Sequence, residues 1–227
     1  MKQHINMPTF QEFLSKQDGI YAQFRNTEKV RSEGVKKGFQ PQGGYLIVFR
    51  HTRAIAEPIE EFAARISRLT PAIAYHRENL HTTITDYQLT PLDQFSPDST
   101  ILHRLSQAVH ASLPLQAPAI QLGDWLYNQT GVILQGTPDE QFFRTAESIL
   151  ANSKQAGIEL RLPWGAHSTT DRFTRERKPE QLEDFFELMK SAPVLGETKP
   201  AAIDVGYFNL GDIFTLHVHE RFPLRNP

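Results

Sequence analysis

A chain of 227 residues, 39% hydrophobic and 22% charged, can form one large domain or two small ones around a packed core. Its net charge of −2 argues against attraction of nucleic acid or an anionic membrane by the whole surface. The lack of cysteine excludes disulfides, thiolate zinc sites, iron–sulfur clusters and cysteine nucleophiles.

No apolar run approaches the about 18–20 residues of a transmembrane helix. The start of the chain, from Met1 to His4, lacks the apolar core of a signal peptide. We therefore expect a cytoplasmic protein that does not bind membranes, and we expect it to be a monomer.

Residues 1–43 are predicted to form a helical, basic extension before the main domain. Thr9 is a suitable N-cap for an apolar stripe of helical spacing that runs from Phe10 to Phe24. Between Ala22 and Arg53, seven basic side chains stand against two acidic ones, a local charge of +5. This segment is either a solvated linker or a basic flap over an anionic substrate.

The main domain, residues 44–224, begins with predicted strands and helices in alternation. The apolar run 45–49 predicts a buried strand, and Pro58 is a plausible start for the helix that follows it. Residues 80–89 favour a strand. Asp98 and Ser99 then indicate the start of an amphipathic helix.

The second half repeats that order. Strands are predicted at 119–127 and 131–134, a helix from Thr137 or Pro138, an extended stretch at 167–173, a helix after Pro179 and a final hairpin across Gly211 and Asp212. We therefore predict a bilobal α+β fold. Its two pseudo-symmetric, antiparallel-rich sheets carry helices on their outer faces and enclose a central cleft, and the lobes are interleaved along residues 44–224.

Two short motifs stand in the extended stretches, His81-Thr82-Thr83-Ile84 and His167-Ser168-Thr169-Thr170. Alternate residues of a strand share a face, so each motif places an imidazole beside a hydroxyl. Two such pairs across a cleft would offer an acid, a base and two hydroxyl donors to a phosphate group. A third match, at His110 and Ser112, falls at the end of a predicted helix, where such positions do not share a face.

The pair of motifs, 86 residues apart, resembles the 2H phosphoesterase superfamily, which includes bacterial RNA 2′,5′-ligase-like cyclic phosphodiesterases. Members carry two His-x-Thr/Ser-hydrophobic motifs about one lobe apart in a bilobal α+β fold. Thr170 departs from the apolar residue of that pattern. The run 171–173 is similar to an arginine–aromatic pair that often follows the second motif, and Phe214 stands where tyrosine is expected. The resemblance covers roughly residues 44–224.

The resemblance implies hydrolysis of a 2′,3′-cyclic phosphate on a small nucleotide or short RNA end, with no cofactor and no metal. His81 and His167 would serve as general acid and base, in either assignment. Thr83 and Thr169 would donate hydrogen bonds to the non-bridging phosphate oxygens.

Three further residues are candidates for substrate binding, and two of them have an alternative role. Arg172 either steadies the phosphate or is solvated. Phe214 either stacks on a base or belongs to the core, and Trp164 is a candidate for the cavity wall. A metal pair at His217 and His219 lacks an obvious third ligand.

Two other functions remain open from the sequence. One is RNA-end ligation or 3′-end processing on the same fold, because the reverse reaction uses the same groups. The other is a non-catalytic module that binds a nucleotide, which the imperfect second motif keeps open. Turnover of a generic cyclic nucleotide separates hydrolysis from binding alone.

Overall fold

The computed structural model describes residues 8–225. The expectation drawn from Met1 to His4 lies outside these residues. Within them the chain forms six α-helices and nine strands, in the order α1 (Phe10–Arg25), α2 (Glu28–Glu33), β1 (Gln42–Arg50), α3 (Arg53–Leu69), β2 (Ala72–Ala74), β3 (His81–Pro91), α4 (Ser99–His110), β4 (Ile120–Tyr127), β5 (Gly131–Pro138), α5 (Glu140–Gln155), β6 (Ser168–Phe173), α6 (Glu183–Lys190), β7 (Gly196–Thr198), β8 (Ala202–Leu210) and β9 (Phe214–Pro223). None of these helices combines the length and apolar character needed to cross a membrane.

The strands form two sheets, as the sequence predicted. Four strands pair in the order β3-β1-β8-β9, and five pair in the order β2-β6-β5-β4-β7. All of these pairings are antiparallel. The chain passes from one sheet to the other and back, so both lobes draw strands from distant parts of the sequence. The predicted α+β class with two antiparallel sheets is confirmed.

The sequence patterns explain where these elements lie. β1 is buried from Gly43 to Phe49, because it sits between β3 and β8 in the centre of its sheet. α3 buries Ile59, Phe62 and Ile66, which recur at helical spacing, and it packs against β2 and β6. α1 starts at a capping box in which Thr9 and Glu12 satisfy each other's backbone groups.

Two predicted helix starts are wrong by a few residues. α3 begins at Arg53, with Thr52 as its N-cap, so Pro58 lies inside the helix. Proline lacks an N–H, and the helix tolerates the missing bond there because its other face is packed in the core. Pro138 ends β5, and α5 begins at Glu140 with the Asp139 carboxylate accepting from the Phe142 N–H. In α5 the capping carboxylate of Asp139, and not the nearby proline, marks the start of the helix. Thr52 occupies the N-cap position of α3, but its side chain makes no capping hydrogen bond.

Candidate active site

The two histidine motifs open two strands, one in each sheet. His81 is the first residue of β3, and His167 immediately precedes β6. β3 and β6 contact each other, so the motifs meet although 86 residues separate them. Both histidines and the hydroxyl residues Thr83 and Thr169 line one cavity of about 450 Å³.

The structure brings the other predicted site residues to the same cavity. Trp164, Arg172 and Phe214 all lie in its wall. By contrast, the third motif does not contribute: His110 ends α4 and is exposed at the surface. Within the described residues, none of the seven basic side chains of the +5 segment lines the cavity, which argues against a basic flap.

His81 is held by the residues just before it. Its Nδ1 lies 2.6 Å from the carbonyl oxygen of Asn79, and its ring stacks 5.7 Å from that of Phe214. The Asn79 side chain is itself fixed to β9, because it donates to the Phe214 carbonyl at 2.9 Å and accepts from the Leu216 N–H at 3.1 Å. A neutral imidazole that donates from Nδ1 leaves Nε2 as its proton acceptor.

An ion pair anchors the same segment from β1. Arg50 donates to the Asp204 carboxylate at 2.8 Å and to the carbonyl oxygens of Glu78 and Leu80. Asp204 is almost fully buried and also accepts two hydrogen bonds from Arg221. The Asp204 carboxylate is thus bound by two arginines, and it acts on His81 through Arg50 and the two backbone carbonyls that Arg50 binds.

His167 has a matching environment in the second lobe. Its Nδ1 lies 3.3 Å from the carbonyl oxygen of Gly165, again two residues before the histidine. Its ring stacks on Trp164 with 3.8 Å between centroids and 20° between planes. Each histidine therefore has Nδ1 on a backbone carbonyl and one ring face on an aromatic side chain.

The N-terminal helix supports this second environment. The Tyr21 and Phe24 rings pack on Trp164 at 5.8 and 6.3 Å. The fully buried Gln17 accepts a hydrogen bond from the Ala166 N–H at 2.7 Å, directly before His167. α1 thus contacts the residues that hold the second histidine, although it precedes the stretch that carries the family resemblance.

Arg172 is placed by an aromatic pair. Its Nε donates to the Tyr75 hydroxyl at 3.0 Å, and the Tyr75 ring stacks on Phe214 with 4.2 Å between centroids and 7° between planes. Tyr75 thus covers one face of Phe214, which is buried. The two rings form one wall of the cavity, with the guanidinium beside it.

The cavity is unfavourable to positive charge. Burial lowers the pKa of His81 to about 4, although the hydrogen bond to the Asn79 carbonyl opposes the shift. Burial lowers the pKa of His167 to about 3, and the positive charge of Arg172 and, at low pH, that of a protonated His81 lower it further. Both imidazoles are therefore neutral near pH 7, and a bound anion would favour protonation of either one.

Several residues at the site were missed by the sequence analysis: Gln17, Arg50, His51, Tyr75 and Asn79. Each acts through a contact with a residue distant in sequence, which no short motif reports. Within the described residues no group of three or more His, Asp or Glu side chains could hold a metal ion. The ring of His217 instead stacks on Tyr207 at 4.6 Å.

No protein-family model and no curated protein matches this chain. Solved structures do resemble it. TT0787 of Thermus thermophilus is 16% identical and superposes with a TM-score of 0.57 over 81% of this chain and 98% of its own. A conserved protein of unknown function from Agrobacterium tumefaciens, ATU0111, is 15% identical, with a TM-score of 0.53 over 80% of this chain and 88% of its own.

Escherichia coli LigT, complexed with NADP+, is 13% identical, with a TM-score of 0.51 over 82% of this chain and 99% of its own. At these identities the likeness concerns the fold, which in this chain is the 2H phosphoesterase fold.

Proposed function

We propose that this chain, built on the 2H phosphoesterase fold, hydrolyses the 2′,3′-cyclic phosphate of a nucleotide or short RNA end without a metal ion. The observation that carries the proposal is the pairing of two His-x-Thr sets, one from each sheet, in the wall of a single cavity. Each histidine also has its Nδ1 occupied by a backbone carbonyl, which leaves Nε2 for proton transfer.

The reaction needs a base, an acid and a site for the phosphoryl oxygens. One imidazole takes a proton from water as the water oxygen bonds to phosphorus. The other imidazole gives a proton to the ribose oxygen as its bond to phosphorus breaks. The product is a phosphomonoester, and the two histidines have exchanged protonation states. Thr83 and Thr169 donate hydrogen bonds to the non-bridging oxygens, and Arg172 balances their charge.

The cavity is also large enough for a nucleotide-sized ligand. Its volume of about 450 Å³ lies within the usual range for small-molecule sites, about 300–1,000 Å³. A protein of the same fold, LigT, has been seen with NADP+, a dinucleotide. The rings of Trp164, Tyr75 and Phe214 provide apolar surface beside the phosphate position.

Turnover of 2′,3′-cyclic nucleotides in the presence of EDTA tests this function. The wild type should release a nucleoside monophosphate, and EDTA should not slow it. A double variant, His81→Ala with His167→Ala, prepared in the same way, controls for contaminating enzymes. Absence of wild-type turnover with all four 2′,3′-cyclic nucleotides and a cyclic-phosphate-ended oligoribonucleotide would reject the proposal. Retained nucleotide binding in that case would indicate the non-catalytic module.

Removing one hydroxyl donor should weaken phosphate stabilisation. We expect Thr83→Val or Thr169→Val to lose about 1.5–3 kcal/mol, the contribution of a hydrogen bond to a charged group, and so to lower kcat/KM by about 10- to 150-fold. Thr83→Ser and Thr169→Ser keep the hydroxyl and should remain within about fivefold of the wild type. A loss in the serine variants as large as the loss in the valine variants would contradict the expectation, because serine keeps the hydroxyl donor.

Binding of an anion should be linked to proton uptake. The pKa values of His81 and His167 are about 4 and about 3 before an anion binds, and a bound anion raises at least one of them. Sulfate keeps its charge across this range, so its affinity should increase as the pH falls from about 8 to about 5, by at most about tenfold per unit for one proton. Calorimetry in buffers of different ionisation enthalpy measures the protons taken up. A sulfate affinity independent of pH would contradict the expectation.

A further inference from the structure

Behind the cavity, the middle residues of the two motifs meet. Thr82 and Ser168 are both fully buried, whereas Thr83 and Thr169 are only partly buried and line the cavity. The Thr82 and Ser168 hydroxyl oxygens lie 3.1 Å apart. This contact joins the four-stranded sheet to the five-stranded sheet in the protein interior.

A third group closes the contact into a buried triangle of His51, Thr82 and Ser168. The Nε2 atom of His51 lies 3.0 Å from each of the two hydroxyl oxygens. Its Nδ1 lies 3.4 Å from the hydroxyl of Thr198, in β7. His51 directly follows β1 and is 4% exposed.

The triangle suits a neutral imidazole. Burial lowers the pKa of His51 to about 3, and the positive charge of Arg50 and, at low pH, that of a protonated His81 add to this effect. A neutral ring donates from one nitrogen and accepts at the other. With Nδ1–H donating to Thr198, Nε2 can accept from one hydroxyl while the second hydroxyl donates to the first. Buried polar groups satisfied in this way resist displacement, because separating them would leave unpaired donors and acceptors.

The triangle lies one residue from each catalytic candidate. Thr82 follows His81, and Ser168 follows His167. Successive strand residues point to opposite faces, so a bond between the two middle residues holds the two imidazole-bearing backbones at a fixed separation. An acid and a base on either side of one phosphorus atom require that separation, and a misplacement of about 1 Å costs about 100-fold in rate.

We propose that His51, Thr82 and Ser168 are positioning residues that set the distance between His81 and His167 across the cavity. The inference rests on the proposed function for its consequence in catalysis, and on the hydrogen bonds of the triangle for its consequence in structure. None of the three lines the cavity, so their effect on the reaction passes through the histidines.

A matched pair of serine variants tests the proposal. Ser168 and Ser153 are both fully buried, but the Ser153 hydroxyl bonds to the Leu150 carbonyl within α5, away from the cavity. We expect Ser168→Ala to lower kcat by about 10- to 100-fold and to leave KM within about twofold. Ser153→Ala should lose about as much thermal stability as Ser168→Ala but leave kcat unchanged. His51→Gln, which keeps a donor and an acceptor, should retain more activity than His51→Leu.

The imidazole signals of His81 and His167 give a second readout that needs no substrate. In ¹H–¹⁵N spectra, Ser168→Ala should broaden or shift both, relative to Ser153→Ala. Unchanged signals together with unchanged kcat would overturn the positioning role. If the wild type turns over no cyclic phosphate, the proposed function fails, and the triangle is judged on these spectra alone: two perturbed signals support it, and two unperturbed signals reject it.

Discussion

Replacing either His81 or His167 by alanine should lower turnover of a 2′,3′-cyclic nucleotide by about 10²- to 10⁴-fold, because each substitution removes one of the two proton-transfer groups. The loss should appear in kcat more than in KM, since Thr83, Thr169 and Arg172 remain to bind the phosphate. Steady-state kinetics of the two single variants measures this. The rate of the double variant should be close to that of the singles, because the effects of removing an acid and a base that act together are not additive.

The chain supplies its own control for this experiment. His110 and Ser112 repeat the His-x-Ser pattern, but His110 is exposed at the end of α4. His110→Ala should therefore have wild-type kinetics. Because His81 is buried, each variant is also compared with the wild type by thermal unfolding. A folded His81→Ala or His167→Ala protein with wild-type turnover would rule out the two-histidine mechanism.

A second large effect is expected in stability when Asp204 is replaced by alanine. The Asp204 carboxylate is 1% exposed and pairs with Arg50, whose side chain is 11% exposed. Removing one partner leaves the Arg50 charge buried and unpaired, which costs about 3–5 kcal/mol of the free energy of unfolding. Denaturant unfolding measures this loss. Activity should fall as well, because Arg50 also holds the carbonyls of Glu78 and Leu80 before His81.

Arg221→Ala is the matched control for that variant. Arg221 binds the same carboxylate, but its side chain is 54% exposed, so its loss is largely compensated by water. We expect it to cost about 0–1 kcal/mol, as for surface ion pairs. A similar loss of stability in both variants would mean that the carboxylate matters mainly as a partner of Arg221.

The two motifs were found from the sequence because strand geometry is local. Alternation along a strand pairs His81 with Thr83 and His167 with Thr169, whichever sheet the strand joins. The same reasoning rejected His110, and α4 confirms that it lies on a helix. Trp164, Arg172 and Phe214 line the same cavity as both histidines. Arg172 and Phe214 were chosen from the resemblance, and Trp164 was chosen because it lies just before the second motif.

Other features of the site depend on side chains that meet from distant segments. Asn79 supports His81 because β9 lies beside it and accepts its hydrogen bond. Gln17 supports His167 because α1 packs against the segment before that histidine. Helix starts show the same limit on a smaller scale. Pro58 suggested a helix start there, whereas α3 begins at Arg53, directly after Thr52.

By itself, the sequence determined the types and order of the longer helices and strands and the two His-x-Thr sets, because periodicity and strand alternation are properties of neighbouring residues. It did not show the short elements α2, β2 and β7. The tertiary structure alone decided which aromatic ring supports each histidine, why both imidazoles are neutral in the cavity, and that His51 joins Thr82 to Ser168. These features arise from burial and from hydrogen bonds between the two sheets, and burial is defined only once the chain has folded.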